Sequence, residues 1–167
     1  NQVRVERQHQ VSPTFLTEFQ INTQIIPALK KLKAAGLLLI ATTNQPGVSH
    51  GHLNRREMDR MHDVLRRVLP LDDVLVCLHS ESDRCSCRKP KPGMLLQAAE
   101  DLGIDLSRSY LVGDGLPDAQ AALAAGSRPF MVRTGRGANQ LAGLAATGLE
   151  SVPVVADLGE AVERILG

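Results

Sequence analysis

Residues 109–126 read SYLVGDGLPDAQAALAAG. A short apolar run, Ser109–Gly113, passes through a turn that brackets Asp114 between two glycines and enters an alanine-rich stretch, Leu116–Ala125, closed by Gly126. An unbroken apolar run of this length predicts a strand covered on both faces, and the stretch after it predicts a helix stopped by glycine. The same strand-then-helix unit recurs in both directions. Upstream, residues 23–35 predict a helix capped by Thr23 and stopped by Gly36, and Leu37–Thr42 predicts a buried strand. Asn54 with Glu57 gives a capping-box start to a helix reaching Val68, Val74–Leu78 predicts a strand, and Pro92–Leu102 predicts a helix stopped by Gly103. Downstream, Pro129–Arg133 and Val152–Val155 predict strands, and Leu158–Leu166 a last helix. Alternation of this kind specifies an α/β fold, a three-layer doubly wound parallel sheet of Rossmann-like type, in one domain spanning residues 1–167. Ligands of such sheets bind where strands end at their carboxyl tips.

Composition narrows the function. The 167 residues are 43% hydrophobic and 22% charged with a net charge of +1, so no global field draws the chain to nucleic acid or an anionic membrane. Aromatic residues make up 2% and tryptophan is absent, which argues against base-stacking surfaces, and no apolar run has the length of a membrane span. Three cysteines cannot all pair, so a reducing, cytoplasmic setting is expected.

Three loops at strand tips carry the chemistry. Thr43 and Asn44 end the first strand in TTNQPGVSHGH, where a hydroxyl, an amide and backbone N–H groups suit a phosphate; a plain turn would use the same residues. Asp114 and Asp118 lie four residues apart around a helix start, with Gly113 and Gly115 allowing close approach. Asp114 at the strand tip fits a hard cation such as Mg²⁺, whereas Asp118 also suits a helix N-terminus. The third loop, CLHSESDRCSCRKPKPG over residues 77–93, places Cys77, His79, Cys85 and Cys87 within eleven residues. Two pairs of soft ligands predict a closed, structural Zn²⁺ site that fixes Arg88 and Lys89 at its end. A lysine held there would stabilise charge on a transferring phosphoryl group.

In order and spacing, TTNQPGVSHG, CLH…CSCRKPKPGML and YLVGDGLPDAQAA resemble the haloacid dehalogenase superfamily of phosphatases, over about residues 23–137. The zinc-type loop followed by Arg-Lys-Pro is similar to the branch holding the heptose bisphosphate and histidinol-phosphate phosphatases. KPGML resembles the heptose enzymes, and the spacing from His79 to Cys85 the histidinol enzymes. The resemblance implies a small phosphorylated substrate, Thr43 and Lys89 at the transferring phosphoryl with Asp118 as a further catalytic residue, and Asn44, Gln45, Pro46 and Arg88 at the substrate. It implies Mg²⁺ at Asp114 and Gly115, no nucleic acid or membrane partner, and a monomer. Gly115 departs from the family's usual lysine at that position.

A second departure is larger. The family attacks phosphorus with the first Asp of a D-x-D-G motif at the end of an N-terminal strand, forming an aspartyl-phosphate. No Asp-x-Asp occurs in the 167 residues, and Asp72-Asp73 precede a strand. The expectation is therefore that the protein starts roughly ten residues or more before Asn1, in an apolar central strand ending in D-x-D-G, since a buried strand needs about 5–6 residues and a turn. Gln2–Ser12 would then be a flexible specificity segment. Competing readings are a non-catalytic relative that binds a phosphorylated ligand, and a zinc module for nucleic acid or protein contacts.

Overall fold

The structure, a computed structural model, describes residues 13–167; the expectations for Asn1 and for Gln2–Ser12 lie outside the described residues. The chain folds as two compact units, one running to Cys85 and one from Ser86 to Gly167. No helix among the described residues is long and apolar enough to cross a membrane.

In the unit ending at Cys85, helix α1 (Ile26–Ala34), strand β1 (Ile40–Asn44), helix α2 (Arg55–Val68) and strand β2 (Asp73–Cys77) follow one another. The strands pair in parallel, from Ile40 opposite Asp73 to Asn44 opposite Cys77. Helix α1 is preceded by a 3₁₀ turn, Thr23–Ile25, whose cap is Asn22 rather than Thr23: the Asn22 side chain accepts the Gln24 N–H at 3.0 Å. Strand β1 lies two to three residues later than the apolar run predicts. Gly36, at φ +81°, closes α1, and the Leu37 N–H turns back to the Leu32 carbonyl at 3.1 Å. The Leu39 N–H is taken by the Asp72 carboxylate at 2.6 Å, which Lys33 also grips at 2.6 Å. Those three leucines are spent on leaving the helix, and the ladder runs on through Thr43 and Asn44.

Helix α2 presents Met58 and Met61 on one face, where they pack with Leu53, Leu16, Phe19, Val48, Val76 and Leu78. Asn54 caps it through the Arg56 N–H at 2.8 Å. Glu57 does not complete the capping box; its carboxylate accepts the Leu16 N–H at 3.0 Å and binds Arg60 at 2.8 Å.

From Ser86 on, helix α3 (Gly93–Leu102), strand β3 (Tyr110–Gly113), helix α4 (Leu116–Ala124), strand β4 (Arg128–Val132), the single turn α5 (Gly137–Gln140), strand β5 (Val154–Val155) and helix α6 (Leu158–Leu166) alternate. The strands form a parallel sheet in the order β3-β4-β5. Successive side chains of β4 point to opposite faces. Met131 packs with Ala119 of α4, Leu149 and Val152, whereas Phe130 and Val132 pack with Val155 and Ala161 of α6. A parallel sheet with a helix on each face is the doubly wound, Rossmann-like α/β class expected from the sequence.

Candidate active site

At the tip of β1, Thr43 is buried and its hydroxyl accepts the Gln45 side-chain amide at 3.3 Å. The Gln45 backbone N–H donates to the Cys77 carbonyl at 2.7 Å, so the ladder continues one residue past the strand and holds Asn44 directly opposite Cys77. The Pro46 carbonyl accepts the His50 N–H at 3.0 Å and the Ser49 hydroxyl at 3.0 Å, which curls the loop back on itself. Thr43, Asn44, Gln45 and Pro46 thus line one strand end, and β2 delivers the first cysteine beside them.

The four soft ligands meet. Cys77 Sγ lies 3.6 Å from His79 Nδ1 and 3.7 Å from Cys85 Sγ, and the ligand atoms of Cys77, His79, Cys85 and Cys87 all lie within 4.8 Å of one another. A tetrahedral Zn²⁺ with Zn–S of about 2.3 Å and Zn–N of about 2.05 Å has ligand edges of about 3.8 Å between sulfurs and about 3.6 Å from sulfur to nitrogen. The Cys77–His79 and Cys77–Cys85 separations match those edges. Between His79 and Cys85 the loop is folded by Asp83, whose carboxylate accepts the Ser80 N–H at 2.6 Å and the Ser80 hydroxyl at 2.8 Å. Those two bonds, the hydroxyl's the stronger, hold the Asp83 carboxyl below its ordinary range.

From Ser86 to Gly93 the chain closes on itself: the Gly93 N–H donates to the Ser86 carbonyl at 3.1 Å and the Lys91 N–H to the Arg88 carbonyl at 2.9 Å. Only glycine fits at 93, because a Cβ there would stand 2.4 Å from the Ser86 oxygen. Half-buried Arg88 and Lys89 lie within this turn, and the Lys89–Pro90 bond is cis. Lys89 Nζ sits 2.6 Å from Asp118 Oδ1, with side chains only 10% and 12% exposed. The other Asp118 oxygen accepts the Gly115 N–H at 3.0 Å, making Gly115 and Asp118 the cap of α4. Asp118 therefore serves the helix N-terminus and the lysine at once.

The two carboxylates read as neighbours at this tip turn to different partners. Asp114 Oδ2 accepts the Arg136 backbone N–H at 3.0 Å, and Oδ1 accepts the Arg136 guanidinium at 3.3 Å. Gly115, grouped with Asp114 by the family resemblance, spends its N–H on Asp118 and its carbonyl on the first turn of α4. Arg136 is the residue the sequence reading passed over. Its only signal is the glycine-rich TGRG at 134–137, which marks a loop without naming its partner.

Comparison with known proteins gives one family. Residues 86–161 match the HAD-hydrolase-like family model. The chain is 38% identical over 121 residues to a D-glycero-beta-D-manno-heptose-1,7-bisphosphate 7-phosphatase of Pseudomonas aeruginosa, covering 70% of this chain and 68% of the relative. It is 35% identical over 147 residues to the enzyme of that name from Bordetella bronchiseptica, covering 84% and 80%. Among solved structures, the D,D-heptose 1,7-bisphosphate phosphatase of B. bronchiseptica, complexed with magnesium and phosphate, superposes with a TM-score of 0.84 at 32% identity, over 98% of this chain and 92% of that one.

Proposed function

This chain belongs to the haloacid-dehalogenase-like phosphatases, and we propose that it is the member that removes the 7-phosphate of a heptose 1,7-bisphosphate. The observation that carries this is the Lys89–Asp118 pair, a half-buried lysine on a buried carboxylate just after the cysteine loop, in a chain whose relatives at 35–38% identity bear that name. A lysine in a largely dry position, oriented by a carboxylate that is itself fixed on a helix N-terminus, is a preorganised positive charge for a phosphoryl group. By the family resemblance Thr43 would give a hydroxyl to the transferring phosphoryl group, and Asn44, Gln45, Pro46 and Arg88 would contact substrate.

Asp114 would hold Mg²⁺. Its donor is a hard carboxylate at a strand tip, and Mg²⁺ commonly takes one or two protein carboxylates, filling its shell with water and substrate phosphate. Mg²⁺ bound there supplies charge neutralisation on the phosphoryl oxygens. Cys77, His79, Cys85 and Cys87 would hold a structural Zn²⁺, four ligands leaving no open position, and thereby fix the start of the turn that carries Arg88 and Lys89. The family's nucleophilic carboxylate is not assigned to any residue here, since no Asp-x-Asp occurs in the sequence. We expect a monomer in a reducing, cytoplasmic setting that keeps the three thiols available as ligands.

The test is phosphate release by the full-length protein with Mg²⁺, using both anomers of D-glycero-D-manno-heptose 1,7-bisphosphate and, as controls, histidinol phosphate and the heptose 1-phosphate. Turnover of the bisphosphate with the 1-phosphate left in place supports the reading. Faster turnover of histidinol phosphate, or binding of the bisphosphate without turnover, overturns it.

A further inference from the structure

The turn after β4 is shaped around one carboxylate. Gly135 adopts φ +65°, and a Cβ there would stand 2.4 Å from Asp114 Oδ2. Gly137 could carry no Cβ either, since it would meet the Val132 carbonyl at 1.7 Å, and its N–H donates to the Thr134 carbonyl at 3.1 Å. The result is that Arg136 meets Asp114 twice, by its backbone N–H and by its guanidinium. The Asp114 side chain is 15% exposed, but that of Arg136 is 62% exposed. A half-buried acid is thus joined to a cation that stands in water.

We propose that Arg136 is a positioning residue that sets the Mg²⁺ affinity of Asp114, its guanidinium acting as the built-in counter-ion of that carboxylate. The inference rests on the reading of Asp114 as the Mg²⁺ ligand. When the carboxylate engages a divalent cation, the guanidinium has two courses. It can stay, and face a double positive charge at no more than about 5.4 Å, its 3.3 Å contact plus a Mg–O distance of about 2.1 Å. It can swing out, and the pair is lost. Repulsion between these charges in a water-like dielectric, screened over about 8 Å at physiological salt, weakens binding roughly five-fold. Loss of an exposed ion pair weakens it by up to about the same factor. Both courses have the same sign, so the side chain restrains the metal while the backbone N–H keeps the carboxylate in place.

Mg²⁺ titration of the full-length protein by calorimetry tests this, with Arg136→Gln, Arg136→Lys and Asp114→Asn. Arg136→Gln should bind Mg²⁺ about 3–10-fold more tightly in dilute buffer, the gain shrinking toward two-fold in about 1 M salt, where the screening length is about 3 Å. Arg136→Lys should stay close to wild type. The thermal midpoint in chelator should move little for Arg136→Gln, as expected for an exposed pair. Unchanged or weaker binding in Arg136→Gln, or a gain indifferent to salt, overturns the inference. Asp114→Asn separates it from its premise: if Asp114→Asn binds Mg²⁺ as wild type does, the metal assignment falls and the inference with it. If Asp114→Asn loses binding and Arg136→Gln does not change, the inference alone falls.

Discussion

Lys89→Met and Asp118→Asn, alone and together, test whether the Lys89–Asp118 pair is one functional unit. At 2.6 Å and an effective dielectric of 20, the gross attraction between the charges is about 6 kcal/mol. Desolvating two ions costs several kcal/mol each, so the intact pair contributes little net stability. Removing one partner is different, because the desolvation cost of the other remains without its main compensation. Complete burial would put that loss at about 3–5 kcal/mol; allowing for the 10% and 12% exposure, each single variant should lose about 2–4 kcal/mol. Asn at 118 can still accept the Gly115 N–H, so the cap of α4 is largely kept. The double variant removes both charges and should be no worse than either single one, giving a coupling of at least about 2 kcal/mol in urea unfolding. The activity readout is not symmetric with this. Lys89→Met and the double variant should both lose turnover by at least the 10²–10³-fold typical of one preorganised electrostatic donor, so stability returns in the double variant while catalysis does not. Losses that add to within about 0.5 kcal/mol would refute the pairing. So would a double variant that recovered activity.

Three further outcomes follow from the geometry. Protein purified without added zinc should carry about one equivalent, as a four-ligand site requires, and its removal should lower the thermal midpoint by more than about 10 °C, a few kcal/mol in a domain of this size; metal-free protein of equal stability would exclude the site. Gly93→Ala, which forces a methyl against the Ser86 carbonyl at 2.4 Å, should cost about 1–3 kcal/mol as an overpacking change and lower kcat by displacing Lys89, measured by unfolding and phosphate release. His62 is held below its ordinary pKa of 6.5, first by burial and then by Arg66, so the fold favours its neutral form. Its stabilising effect is complete above pH 6.5 and is lost as pH falls from there through the folded value, so His62→Leu should flatten the pH dependence of unfolding in that window, by at most about 1.4 kcal/mol per pH unit.

Helix α6 coincides with its sequence reading because both ends are local: Asp157 caps it through the Glu160 N–H at 3.0 Å, and Gly167 at φ +86° is its C-cap. Strand β1 does not, since its start is decided by Asp72, 33 residues away from the Leu39 N–H it captures. Strand β5 is shorter than Val152–Val155 for a related reason. Val152 turns its N–H to Leu149 at 3.0 Å and its side chain into the cluster around Met131, leaving only Val154 and Val155 in the ladder. Termini set by a neighbour in sequence can be read from the sequence; those set by a distant side chain cannot.

The site divides along the same line. Four side chains able to share one soft ion must be alike in chemistry, and a loop of eleven residues that gathers all three cysteines and a histidine announces them. A carboxylate's counter-ion has no such signature. Asp114 and Asp118 stand four residues apart at one strand tip, and 19 lysines and arginines were available to each. The fold gives Asp118 the lysine at position 89 and Asp114 the arginine at 136, reached from opposite directions along the chain. One carboxylate faces a half-buried cation that it holds still, and the other an exposed cation that is free to turn into solvent. That difference follows from burial, not from spacing. On the proposed reading it would make Asp118 the orienting partner of a fixed charge and leave Asp114 the one of the two to exchange its partner for a metal.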